Sequence, residues 1–182
     1  MKNIQTFGIN YIFVILFTVA LSWYFISDNN NKLVSAADKS ISSVVTISSS
    51  AQSNLSYSNN KSGIGSGVIF SKEGYIVTNL HILNSKNIKV QLNNGKNYPA
   101  NIIGIDKNAD IAVLKISADE NLHPINIANS DNLKIGDKVL AIGNPYGIGI
   151  SVSNGIVSAT GRDYGNPYLQ LIQTDAAINP GN

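Results

Sequence analysis

The chain opens on an apolar run, FGINYIFVILFTVALSWYFI, from Phe7 to Ile26, with no charged residue in it. About twenty helical residues suffice to cross the hydrocarbon core of a bilayer. Lys2 precedes the run and Asp28 follows it, while Trp23 and Tyr24 stand near its far end, where amphipathic rings favour the membrane interface. The pattern predicts a single transmembrane signal anchor over 7–27. Residues 1–6 then stay in the cytoplasm and the remainder is carried across. A cleaved signal peptide is the competing reading, with Val34-Ser35-Ala36 as the cleavage site, although that site lies well beyond the apolar run. A buried core helix is the third.

Polar residues take over in SDNNNKLVSAADKS, which predicts a linker over 28–36. From Ile41 onward the pattern becomes short runs rich in Val and Ile, broken by turn residues: SVVTI, SGVIF, YIVTN, IKVQL, ADIAVLKI, KVLAIG and NGIVSAT. Several alternate with period two, as in Lys89-Val90-Gln91-Leu92, the spacing that puts successive side chains on opposite faces of a strand. Asn94-Gly95 and Asn154-Gly155 read as hairpin turns, and Lys72-Glu73-Gly74 as a hairpin loop. No long segment after the linker keeps a helical period. The predicted class is all-β, a mostly antiparallel barrel or sandwich. The Asn-rich stretch 121–132, which carries Pro124, separates two β units over 37–120 and 133–182.

Composition narrows the chemistry. The net charge is +2 and charged residues make up only 13% of the chain, so no basic field exists to track a nucleic acid. There is no cysteine, which excludes disulfides, thiol catalysis and thiolate metal sites. Two histidines, His81 and His123, argue against a multi-histidine metal centre. The glycine-rich Gly63–Gly67 stretch lacks the Lys-Ser/Thr and helix of a phosphate loop. Gly143–Gly147 reads as a turn fixed by Pro145, and Asn54-Leu55-Ser56 is a formal glycosylation sequon in a polar loop. Tyr164 and Tyr168 read as loop or rim residues, and His123, beside Pro124, as ordinary.

Two polar residues stand at strand edges. His81 follows YIVTN directly, and Asp110 precedes the apolar IAVLKI. Taken singly, each reads as a structural residue. Together they suit catalysis, because an imidazole needs an acceptor on one ring nitrogen to fix its tautomer and to stabilise the imidazolium. The third member would be a serine hydroxyl further along, activated by the histidine.

Five stretches, GSGVIFSKEGYIVTNLHIL, NADIAVLKI, KVLAIGNPYG, SNGIVSATGR and LIQTDAAINPGN, run in order over roughly Ala37 to Asn182. They resemble the HtrA/Deg family of trypsin-like serine proteases, most closely its membrane-anchored, DegS-like branch. The resemblance implies a double antiparallel β-barrel preceded by one transmembrane helix, with the second barrel incomplete at Asn182. It implies that His81 is the general base and Asp110 its orienting acid. It places Gly181 in the oxyanion hole and Ile178 in the primary specificity pocket. In that family TDAAINPGN is followed by the nucleophilic serine, so the expectation is a chain that stops one residue short of it, with the PDZ domain also absent and no activity of its own. The implied protein is a serine endopeptidase of envelope quality control or stress signalling. It would sit single-pass in a bacterial inner membrane with its protease domain in the periplasm. It would act on unfolded or specific envelope proteins, assemble as a homotrimer, and need no metal or cofactor. The alternative is a catalytically inactive, membrane-tethered binding module.

Overall fold

A computed structural model describes residues 18–19, 21–23, 27, 31–50, 63–144, 147–163, 165 and 170–178. The chain divides into two compact units, Met1–Ala36 and Ala37–Asn182. Most of the apolar run Phe7–Ile26, and with it the expected anchor, lies outside the described residues. Among those described, no helix is long and apolar enough to cross a membrane.

The stretch read as a polar linker is helical over 31–41. Leu33, Ala37, Ser40 and Ile41 are half-buried and the other residues of 31–41 exposed, a spacing that repeats on one face of a 3.6-residue helix. Lys, Leu and Ala are good helix formers, and polarity alone masked that periodicity.

In the second unit, strands β1 (Val44–Ser49), β2 (Gly63–Ile69), β3 (Tyr75–Asn79), β4 (Ile88–Gln91), β5 (Asn97–Asp106) and β6 (Ile111–Ile116) close a barrel in the order β1-β2-β3-β6-β5-β4. All neighbours are antiparallel, and β1–β4 pairing seals the ring, so this sheet has no free edge. Alternation fills its interior with Val45, Ile47, Ile69, Ile76, Val90, Leu114 and Ile116, each at most 1% exposed. β-Branched side chains fit a pleated surface, and each one buried contributes about 1.5–3 kcal/mol. Asn94-Gly95 does form the β4–β5 turn, with Gly95 at φ +85°. Gly74 closes the β2–β3 hairpin at φ +91°, where a Cβ would lie 2.5 Å from the Ile116 carbonyl oxygen.

After an extended stretch and a short 3₁₀ turn at Ser130–Asn132, β7 (Lys138–Gly143), β8 (Ser151–Arg162) and β9 (Leu171–Thr174) form a three-stranded antiparallel sheet. Asn154-Gly155 is no turn. Both residues lie inside β8, where Leu140 faces Asn154 and Val139 faces Gly155. Glycine is used there because another backbone approaches closely, a tertiary demand that a dipeptide cannot reveal.

Asn144, just past β7 and 7% exposed, ties this sheet to the barrel. Its backbone N–H donates to Ser66 Oγ at 2.8 Å and its side-chain amide to Thr46 Oγ1 at 2.5 Å. Its amide oxygen accepts from Gly149 N–H at 2.8 Å, which folds the following loop back on the barrel.

Candidate active site

Strand pairing brings His81 and Asp110 together. β3 and β6 are antiparallel neighbours with Asn79 opposite Ile111, so the end of β3 lies beside the start of β6. Leu80 N–H donates to the Asp110 carbonyl at 3.0 Å, and the chain then winds into a 3₁₀ turn over Leu80–Ile82 that carries His81. Ile82 anchors the turn, being 4% exposed. Gly63 and Gly65 of β2 make its seat: a Cβ on Gly63 would strike the Ile82 carbonyl, and one on Gly65 the Ile82 side chain. The GIGSG stretch is therefore a strand whose missing side chains leave room for the turn that presents the histidine. Beyond the turn, Ser85 N–H donates to the buried Ser49 hydroxyl at 2.8 Å, fixing the exit of the loop on β1.

The pair itself is close. His81 Nδ1 lies 2.6 Å from Asp110 Oδ2, and His81 backbone N–H donates to Asp110 Oδ1 at 2.9 Å. Asn79 Nδ2 donates to Asp110 Oδ2 at 3.2 Å and to the Asp110 carbonyl at 3.1 Å. Asp110 holds φ +53°, the one non-glycine in the left-handed region among the described residues. Partial burial pushes its carboxyl upward. The hydrogen bonds and charge of His81 and the donor of Asn79 outweigh that and hold it below the usual carboxylate value, so it stays ionised. The His81 side chain is 71% exposed. With Nδ1 tied to a carboxylate and the ring open to solvent, Nε2 is the nitrogen free to exchange a proton with a bound molecule. An open cleft of about 250 Å³ is lined by Asn79 and Ile111, near the pair in sequence, and by Ser66, Val77, Thr78 and Ile142.

The other expected site residues lie in the TDAAINPGN segment. Gly181 falls outside the described residues. Ile178 is 62% exposed. The residues ahead of it are pinned to β8 and to the end of β9. Asp175 Oδ1 accepts from Ile156 N–H at 2.7 Å, Ser153 Oγ donates to the Ala177 carbonyl at 2.6 Å, and Ala176 N–H donates to Thr174 Oγ1 at 3.1 Å. Asn79, Ser153 and Asp175 had no signal of their own in the sequence, because each acts through a partner brought in by strand pairing. Among the described residues, no cluster of three or more His, Asp or Glu side chains could hold a metal ion.

The trypsin-like peptidase domain family matches residues 65–182. A probable periplasmic serine endoprotease, DegP-like, from Buchnera aphidicola subsp. Baizongia pistaciae is 54% identical over 123 residues, 65% of this chain and 26% of that protein. The periplasmic serine endoprotease DegP of Escherichia coli K12 is 50% identical over 123 residues, again 65% of this chain and 26% of the relative. The solved HtrA-type protease AlgW, in complex with a tripeptide, superposes with a TM-score of 0.72 at 41% identity, covering 81% of this chain and 47% of that one. The chain thus spans about a quarter of the length of the curated relatives it matches. On the family match, the shared barrel and these identities, the chain belongs to the trypsin-like serine peptidases, and among them to the HtrA/Deg type.

Proposed function

We propose that the protein is a serine endopeptidase in which His81 is the general base and Asp110 its orienting acid. The observation that carries this is the 2.6 Å contact between His81 Nδ1 and Asp110 Oδ2 beside an ionised carboxylate, in a chain of this family. The nucleophile of the proposal is a serine directly following TDAAINPGN. Its hydroxyl oxygen attacks the scissile carbonyl carbon while His81 Nε2 takes the hydroxyl proton. The imidazolium formed is stabilised by Asp110, then returns the proton to the departing amine, leaving an acyl-enzyme. Water, deprotonated by the same nitrogen, releases the acid and restores the serine. Backbone N–H groups around Gly181 bind the oxyanion, and removing one such donor costs about 10²–10³ in rate. Ile178 gives the primary pocket an apolar wall, favouring small to medium aliphatic side chains.

The relatives named as periplasmic support an envelope location, and they support protein substrates. Within that frame the apolar run Phe7–Ile26 serves as a single inner-membrane anchor, with the peptidase domain in the periplasm. Unfolded or specific envelope proteins are then the substrates, cut during quality control or stress signalling by a homotrimeric enzyme. The test is casein hydrolysis by the protein continued through the codons after that of Asn182. Activity blocked by a serine-directed sulfonyl fluoride and abolished by His81→Ala is the expected result. Hydrolysis that survives His81→Ala overturns the assignment, and no hydrolysis by the continued protein favours a binding module.

A further inference from the structure

We propose that Asn79 is a positioning residue, clamping the main chain and the carboxylate of Asp110 at once so that Oδ2 stays aimed at His81. The inference rests on the peptidase reading and adds a fourth residue to it. The two acceptors facing Asn79 Nδ2 are both oxygens of Asp110, the carboxylate Oδ2 at 3.2 Å and the carbonyl at 3.1 Å. Neither can donate, so the amide must present its NH₂ side to them, with one hydrogen available for each.

The geometry shows what this grip is for. Asp110 has φ +53°, a region in which few non-glycine residues rest without support. Its carbonyl is held by Leu80 N–H at 3.0 Å as well as by Asn79, so the strained peptide is fixed from two directions. Its carboxylate has a separate problem. The side chain is 44% exposed, so water competes for every lone pair. Oδ1 is held by His81 N–H at 2.9 Å, and Oδ2 accepts from His81 Nδ1 at 2.6 Å. The Asn79 amide occupies the remaining acceptor position on Oδ2, the one through which water would draw the carboxylate away from the ring.

A ladder role does not account for this contact. Asn79 already pairs with Ile111 through its backbone, and its side chain is exposed, so nothing in packing obliges it to reach Asp110. Leucine has nearly the same shape and no donor. Asn79→Leu therefore removes the clamp while keeping the heavy-atom branching, at an exposed position that has room for the bulkier methyls.

Two readouts separate positioning from a structural role, both on the protein continued through its nucleophile. The first is the low-field Nδ1 proton of His81, assigned with labelled histidine against the single other histidine, His123. The second is the split between kcat and KM on a peptide substrate. In Asn79→Leu the low-field resonance is expected to vanish or broaden into exchange, with kcat about 10- to 100-fold lower and KM unchanged, the loss of one donor to a charged acceptor. A retained resonance with unchanged kcat overturns the inference, as does a loss confined to KM. Should Asn79→Leu fail to fold, Asn79→Ala carries the same test, and if neither folds the residue is structural and the proposal is wrong. Asp110→Asn is run alongside. If it leaves activity intact, the peptidase reading of the site has failed. If it abolishes activity while Asn79→Leu changes nothing, only the present inference has.

Discussion

Gly155→Ala tests how the TDAAINPGN segment is held. Gly155 lies in β8 under the backbone of Ala176, and a Cβ there would collide with the Ala176 nitrogen and Asp175 Oδ1 and lie 2.7 Å from Ala176 Cα. Comfortable carbon–carbon contact needs about 3.5–4.0 Å, so strand and segment must separate by about 1 Å. Two of the three opposing atoms, Ala176 N and Cα, are main chain, which no rotamer change can clear. Overpacking of this kind costs about 1–3 kcal/mol. The shift also stretches the 2.7 Å hydrogen bond from Ile156 N–H to the Asp175 carboxylate, worth about 1.5–3 kcal/mol. We expect a loss of about 3 kcal/mol or more in urea unfolding, a large share of the 5–15 kcal/mol typical of a domain. Asp175→Ala removes one colliding atom and the same hydrogen bond, so the double variant should cost less than the sum of the two singles. If Gly155→Ala falls within about 0.5 kcal/mol of the parent, as an ordinary surface change would, the close approach is not what places the segment.

Asp110→Asn should leave the fold intact and lower kcat about 10⁴-fold in the continued protein, because an amide facing Nδ1 selects the wrong imidazole tautomer; peptide hydrolysis measures it. Ile47→Ala, at a position with no exposed surface, should cost about 2–5 kcal/mol in urea unfolding and leave the His81–Asp110 contact in place. Asp110, Asp119 and Glu120 are all held below their usual values, the last two chiefly by the hydroxyl of Tyr98, which lies 2.5 Å from Asp119 Oδ1 and 2.7 Å from Glu120 Oε1. A depressed folded-state pKa stabilises above the unfolded value and is lost as pH falls through the folded one. Stability should therefore be level at neutral pH and decline below about pH 4, where unperturbed carboxylates protonate, and Tyr98→Phe should flatten that decline in an acid titration followed by circular dichroism.

What was legible in the sequence was what depends on local pattern. Alternation in Lys89-Val90-Gln91-Leu92 reports a strand because the pleat has period two, and Val90 is indeed buried. Asn94-Gly95 reports a turn because its glycine must reach φ +85°. Asn154-Gly155 carries the same signature and means something else, since its glycine answers to the backbone of Ala176, far along the chain. The 31–41 helix was hidden for the opposite reason: its apolar stripe is narrow and its polar residues suggested a tether. His81 and Asp110 could be singled out as a candidate pair from residue type and order, and the structure does bring them into contact, whereas the Asn79 contact gave no such signal. An asparagine before a histidine carries no chemistry until β3 and β6 pair and put Asp110 within its reach.

The two parts of the site are held by different forces, and this decides how each can fail. His81 and Asp110 sit at the ends of neighbouring strands in a closed barrel, so register sets their separation and a slip of one residue would turn every core side chain outward. Their alignment is consequently as stable as the barrel itself, apart from the last rotation of the carboxylate, which falls to local donors. Among the described residues, the segment 175–178 stands instead at the end of a three-stranded sheet, β7-β8-β9. It follows β9 and is pinned to β8 by Asp175, Ser153 and the space left at Gly155. A change that loosens these pins can move Ala176, Ala177 and Ile178 while His81 and Asp110 stay in contact. Loss of activity with the low-field His81 proton intact would be the mark of damage on the β8 side, and loss of both the mark of damage to the barrel pair.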